Sequence, residues 1–597
     1  MSGIAGLFNL DGRSATAPDL DTLAAPSRRG AVQPFVSRSG VVVSFDGRLD
    51  ERERFSSDLS DAACVAAIYD ETGERFASQL NGDFALALFD PLRHQLVLAC
   101  DVMGARRLHY TQVGRTLLFA SEIKALLAYP GVSAAPDEDA LADVVLDRWI
   151  DTRRTCFRGI HSVAPGHMLV ATPGTIRLQP HWEFDPTREI RYRTFDEYAE
   201  CFRTLFEQSV RRRLRSATPV AACVSGGVDS SSIFCQAAAL AGREPGIAAI
   251  RGISMTFPPG SAADEQRFLD EIETSYGAGI VRLPVSEIRS LRDADRMVGD
   301  LEIPELPWDV HTQVYEAARR EGCSVLLDGY FGDQVLFPRN YLLDLAHRGR
   351  WLTVRRDLRE FAAWMTDVEP NFFPRAFWHA FFRSMLPPRL FQLGKRRAAR
   401  QRAARYAPWY TKAFVTRLLE RQLTRFDTHL RFASRHAEEC YRNATAGHYL
   451  FQVQRQSAAA AMYGVEIAFP FRDRDLVAFL MAIPGDVVNR RGVPKGLLRE
   501  ALGGILPQPI RDRRWKADFT SLTNRAALTD YVAMGRLLTR DSLTVAAGFV
   551  DGPLIEEALR NYQTTIEEDE SARAGWQLTQ VAAFELWMRH FFQQALP

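Results

Sequence analysis

Two patterns of apolar positions divide this chain. Through residue 190, short apolar runs alternate with turn residues, at 4–9, 40–45, 83–89, 95–100 and 116–120. Runs of this kind predict strands. Helical periodicity intervenes near 57–71 and 122–128, so residues 1–190 read as an α+β sandwich. From 195 the order changes. Strand-like runs at 220–224, 250–257, 280–285 and 324–327 alternate with helical runs at 230–241, 264–276 and 310–320. That alternation predicts a parallel α/β sheet over a second domain, 195–597, with a helical insertion at about 340–450. Ligands on such sheets bind beyond the carboxyl ends of the strands.

The loop after the first of these strands carries the most specific chemistry. Ser225-Gly226-Gly227-Val228-Asp229-Ser230 lies between an apolar strand and a helix start. Two glycines let backbone approach an anion, and hydroxyls and helix N–H groups supply donors. Such a loop suits pyrophosphate, and Asp229 stands where a carboxylate can hold Mg²⁺. No Gly-Lys-Ser/Thr follows, so this is not the usual P-loop, and no G-x-G-x-x-G dinucleotide fingerprint is present.

Composition narrows the class. A chain of 597 residues exceeds one ordinary core, and 46% hydrophobic with 25% charged residues is globular. A net charge of +1 points to no nucleic-acid partner. Eight scattered cysteines without C-x-x-C pairs predict reduced thiols, and no signal peptide or long apolar span is visible. The expectation is a cytoplasmic enzyme without a membrane partner.

Several phrases of the first domain resemble the glutaminase domain of asparagine synthetases. They are Ser2-Gly3-Ile4-Ala5-Gly6, Arg29-Gly30, Phe45-Asp46-Gly47-Arg48-Leu49, Leu80-Asn81-Gly82-Asp83-Phe84-Ala85, Asp101-Val102-Met103-Gly104 and Phe119-Ala120-Ser121-Glu122-Ile123-Lys124. The resemblance implies a class II, Ntn-type sandwich. Two departures stand out. Ser2 occupies the position of the family's nucleophilic cysteine, and Asp46 that of an asparagine at the oxyanion site. A hydroxyl is a weaker nucleophile than a thiol, and a carboxylate repels a developing oxyanion. The expectation is a domain without glutaminase activity.

The second domain resembles the family's ATP-pyrophosphatase-type synthetase domain. S-G-G-x-D-S is its pyrophosphate loop, and Asp328-Gly329-Tyr330-Phe331-Gly332-Asp333-Gln334 resembles its second aspartate motif. The resemblance implies ATP held by Ser225, Gly226, Gly227, Asp229, Ser230, Met255, Asp328 and Gly329, with Mg²⁺ on Asp229 and Asp333. Phe331 replaces a usual glycine and Gln334 a usual glutamate. Gly464-Val465-Glu466-Ile467-Ala468-Phe469-Pro470-Phe471-Arg472-Asp473 keeps the family's Glu466 but has Ala468 for an arginine and Arg472 for a leucine. Losing that arginine removes a bidentate carboxylate partner and argues against free aspartate as substrate. In Arg491-Gly492-Val493-Pro494-Lys495-Gly496-Leu497-Leu498-Arg499 the resemblance makes Lys495 catalytic, as a fixed cation at the α-phosphate or the tetrahedral oxyanion, and it extends to Lys516.

Without an ammonia source, the chain resembles two relatives that use an amine of the substrate itself: β-lactam synthetases and lasso-peptide macrolactam cyclases. Tyr330 matches a tyrosine of β-lactam synthetases, and the resemblance implies a Tyr330–Glu466 dyad that assists amine attack. The 340–450 segment is rich in aromatics, and six basic residues lie between Lys395 and Arg405. It reads equally as a helical insertion with a solvated basic face or as a wall that grips a peptide. The expectation is a lasso-peptide cyclase, partnered by a precursor peptide, a leader peptidase and a leader-recognition protein. Alternatives are a β-lactam synthetase-like enzyme acting on a small β-amino acid, a glutamine-independent asparagine synthetase-like enzyme, and an ATP-binding scaffold without catalysis.

Overall fold

The computed structural model describes all residues except 1, 15–16, 25–29, 32–33, 53–54, 56–57, 148, 150, 262, 286–287, 290, 308, 367–368, 370, 386–407, 424–429, 515–519, 569–573 and 594–597.

The first domain is a sandwich of two sheets. One sheet holds, in spatial order, Thr175–Pro180, His167–Thr172, Gln95–Cys100, Gly82–Asp90, Val42–Leu49 and Phe35–Val36. The other holds His161–Ser162, His109–Val113, Thr116–Ala120 and Ala5–Asn9. Side chains alternate across a strand, and the sequence uses both faces. Phe84, Leu86, Leu88, Val97 and Ala99 pack under helix Asp61–Thr72. Ala85, Ala87, Leu96 and Leu98 face Ile4, Leu117 and Phe119 of the second sheet. The helix starts at Asp61, after the expected 57, because the Ser60 hydroxyl accepts the Ala63 N–H and caps it.

The second domain is built on five parallel strands in the order Ile280–Pro284, Ile250–Thr256, Val220–Cys223, Val325–Leu327 and Glu466–Ala468. Four match the expected runs. The fifth, an edge strand of three residues, has no period of its own, and its pairing with Val325–Leu327 alone defines it. Helices Val228–Arg243, Gln266–Tyr276 and Asp309–Arg320 connect the strands. Ala221, Ile253, Leu326 and Ile467 lie in one core; Val220, Ala222, Val325 and Leu327 lie in the other, across the sheet. Leu118, Ala120 and Ile123 of the first domain enter the former. One apolar core therefore crosses both domains.

The insertion is helical: Tyr341–His347, Trp351–Trp364, Phe372–Met385, Lys412–Leu423, Arg435–Thr445 and Gly447–Met462. Its first helices enclose a small core of their own around Tyr341, Val354, Phe361 and Phe377. Trp351 stacks on Trp378 on its exposed side, ring centres 6.1 Å apart. The basic run from Lys395 to Arg405 lies outside the described residues. No described helix is long and apolar enough to cross a membrane.

Candidate active site

The serine–glycine loop follows strand Val220–Cys223 and closes on itself through hydroxyls. Ser225 Oγ accepts the Gly227 N–H at 3.0 Å and lies 2.9 Å from Ser230 Oγ. The Ser225 N–H donates to Ser230 Oγ at 3.1 Å, and Ser231 Oγ donates to the Ser225 carbonyl. Helix Val228–Arg243 starts on Gly227 with no side-chain cap. Its first-turn N–H groups therefore lack intrahelical partners, and its dipole favours an anion. A Cβ on Gly226 would lie 2.5 Å from both Arg513 Nη1 and Phe268 Cδ2. Arg513 is fixed there by a buried ion pair to Glu265 at 2.5 Å. The wall behind the loop admits only glycine.

The second loop packs directly against the first. Asp328 follows strand Val325–Leu327, donates its N–H to the Ala468 carbonyl at 2.9 Å, and accepts the Tyr330 N–H on Oδ1 at 2.7 Å. A Cβ on Gly329 would lie 3.0 Å from the Ser230 nitrogen, and one on Gly332 only 2.7 Å from Asp229 Cγ. Phe331, where the family has glycine, takes φ = 80°. That left-handed conformation is strained for a bulky residue. Its buried ring lies under the Arg472 guanidinium at 4.8 Å and edge-on to Tyr449. Met255 is the penultimate residue of its strand, at the same end of the sheet.

Lys495 joins both loops. Its backbone is left-handed (φ = 58°) at the start of helix Gly496–Ala501, and its side chain is nearly buried. The ammonium pairs with Asp229 and, at 2.5 Å, with Asp333. Burial disfavours the charge, but the two carboxylates outweigh it and hold the ammonium above its ordinary value. No described cluster of three or more His, Cys, Asp or Glu forms a metal cage. Two converging carboxylates beside a phosphate-suited loop still fit Mg²⁺, which takes its remaining ligands from phosphate and water.

The expected Tyr330–Glu466 pair is not formed. Tyr330 lies edge-on to Phe469 at 6.1 Å, and its hydroxyl has no hydrogen-bond partner among the described residues. Burial pushes that phenol well above its usual range, with Arg472 offsetting only part of the shift. The phenol is therefore protonated near neutrality. Glu466 opens its strand level with Val325, two residues before the carboxyl end, and its Oε1 binds Arg106 Nη2 of the first domain at 2.5 Å. Extended strands rise about 3.3 Å per residue, which separates Glu466 from the Tyr330 level. Ala468 is buried in the core. Arg472, also buried, donates from Nη2 to the Met103 carbonyl, while its Nε and Nη1 have no hydrogen-bond partner among the described residues.

In the first domain, Asp46 is buried in strand Val42–Leu49 opposite Ala85, and its charge acts on Arg106. Ser2 pairs through its backbone with Gly30. Lys516 lies outside the described residues. Sequence reading missed Arg106 and the Arg513–Glu265 wall. Their partners lie 360 and 248 residues away, so no local signal marks them.

Comparison with known proteins follows the same division. The asparagine synthase family matches residues 201–589, and a glutamine amidotransferase domain matches 33–182. Asparagine synthetase [glutamine-hydrolyzing] 3 of Bacillus subtilis is 25% identical over 76% of this chain and 70% of its own length. Amidase chry2 of Gibberella zeae is 30% identical over 51% of this chain and 48% of its own. Amidase chyE of Penicillium rubens is 29% identical over the same shares. The chain thus spans about half the length of these two amidases.

Proposed function

The chain belongs to the asparagine synthase family, and from that premise we propose that it is an ATP-dependent, AMP-forming lasso-peptide cyclase. One observation carries the activation half: a buried Lys495 ammonium bonded to both Asp229 and Asp333, beside the Ser225–Ser230 loop. A side-chain carboxylate of an Asp or Glu in a precursor peptide attacks the α-phosphorus of ATP. Pyrophosphate leaves into the loop, where Ser225, Gly226, Gly227 and Ser230 offer donors. Met255, Asp328 and Gly329 border the nucleotide side. Asp229 and Asp333 are the residues that would hold Mg²⁺, which screens phosphate charge when bound. Lys495 stabilises charge that builds at the α-phosphate and then at the tetrahedral oxyanion.

The second half needs an amine. The family's nucleophilic cysteine is replaced by Ser2, and Asp46 stands at the oxyanion position, so ammonia from glutamine is not the donor in this reading. The peptide's N-terminal amine attacks the acyl adenylate, loses a proton, and expels AMP to leave an isopeptide bond. Tyr330 and Glu466 serve that proton. A leader peptidase and a leader-recognition protein would supply the trimmed peptide.

The test is incubation of the full chain with ATP, Mg²⁺ and leaderless core peptides of candidate precursors. Peptide-dependent pyrophosphate and AMP, with a product lighter by one water, is expected. Pyrophosphate release with a small β-amino acid or aspartate alone would refute the peptide reading. Ammonia release from glutamine would refute the inactive first domain.

A further inference from the structure

The turn 101–106 of the first domain reaches into the second and is built for that reach. Asp101 Oδ1 accepts the N–H groups of Met103 at 2.9 Å and Ala105 at 3.1 Å. Its Oδ2 accepts those of Phe84 at 3.2 Å and Arg106 at 3.3 Å. One buried carboxylate thereby fixes the whole turn. Gly104 is left-handed (φ = 63°), and a Cβ there would lie 2.5 Å from Leu450 Cδ1. Gln454 donates to the Gly104 carbonyl at 3.1 Å, and Arg472 to that of Met103. The tip is thus held by helix Gly447–Met462 and by the segment after strand Glu466–Ala468.

The turn ends in Arg106, whose side chain is 7% exposed and bonds Glu466 Oε1 at 2.5 Å. Behind the guanidinium stand Asp46, Asp83 and Asp101. Burial opposes its charge, but Glu466 first and these three next outweigh it and hold Arg106 firmly protonated. Glu466 is 26% exposed, and its Oε2 makes no hydrogen bond among the described residues. A carboxylate gripped by one oxygen and open at the other suits an incoming ammonium.

We propose that Arg106 is a positioning residue for amide formation: the first domain lends a guanidinium that fixes the Glu466 carboxylate for the attacking amine. Asp46, which departs from the family's asparagine, helps to balance that cation. This inference rests on the role given to Glu466 under the proposed function. The first domain then contributes to the synthetase site without hydrolysing glutamine.

The test compares wild type, Arg106→Gln and Arg106→Lys in two partial reactions with the same core peptide. ATP–pyrophosphate exchange should stay within about twofold, while the yield of amide per AMP falls about 100-fold in Arg106→Gln, as a displaced catalytic group commonly costs. Arg106→Lys should recover a large part of the yield. Equal loss in both reactions, or an unchanged yield, would overturn the proposal. Crystal structures of the wild type and Arg106→Gln supply a readout that needs no substrate. Glu466 should leave its position in the variant, and a Glu466 carboxylate that stays in place would also overturn the proposal. Absence of peptide turnover by wild type would instead count against the cyclase reading, and the crystallographic comparison would still decide the role of Arg106.

Discussion

Replacing Lys495 by methionine isolates the charge that links the two loops. The ammonium bonds both Asp229 and Asp333, so the two carboxylates stand within about 5 Å of each other. Without the cation they repel by about 3 kcal/mol at an effective dielectric of 20. Asp333 is 42% exposed, so water screens part of this, and a net loss of about 1–3 kcal/mol is expected. Two carboxylates freed of their lysine should also take up Mg²⁺. Urea denaturation should therefore show Lys495→Met weakened in chelator and largely restored by added Mg²⁺, with a smaller Mg²⁺ effect on wild type. Metal will not restore chemistry if the ammonium acts on substrate charge. Peptide-dependent ATP–pyrophosphate exchange should remain down by about 10²–10³ in Mg²⁺, the usual cost of losing one transition-state charge partner. Exchange at the wild-type rate would refute the catalytic assignment. Unchanged urea stability with and without Mg²⁺ would refute the electrostatic reasoning.

Gly332→Ala should push Asp229 from its place, since the new Cβ would lie 2.7 Å from its Cγ. An overpacking cost of about 1–3 kcal/mol and slower exchange are expected, while Gly535→Ala, inside helix Tyr531–Leu537 with open space around it, should stabilise by about 0.5–1 kcal/mol and leave exchange unchanged. Tyr330→Phe should leave pyrophosphate exchange intact and slow amide formation; equal rates of amide formation would remove the hydroxyl from the mechanism. His436 is fully buried, and burial lowers its value below 6.5, with its bond to the Leu480 carbonyl opposing. The fold favours the neutral ring, so this stability is complete above about pH 6.5 and lost as pH falls below it. Urea midpoints from pH 7.5 to 5.5 should fall less steeply in His436→Gln, though not become flat, because burial lowers His311 and His448 too.

The sequence by itself determined the parts written in local order. Continuous apolar runs marked the central strands of both domains, because each such strand buries one face in each of two cores. The Ser225–Ser230 loop was legible because a pyrophosphate site needs glycines and hydroxyls within a few consecutive residues. Asp333 and Lys495 stood out as isolated chemistry in recognisable phrases. Tertiary structure alone decided how these groups meet. Lys495 reaches Asp229 across 266 residues, and a three-residue edge strand exists only through its partner. The Tyr330–Glu466 pair, expected from motif likeness, gave way to a Glu466 ion pair with Arg106. Spacing within one domain could not reveal it. A half-buried carboxylate takes whichever cation the packing brings closest, and here that cation comes from the other domain.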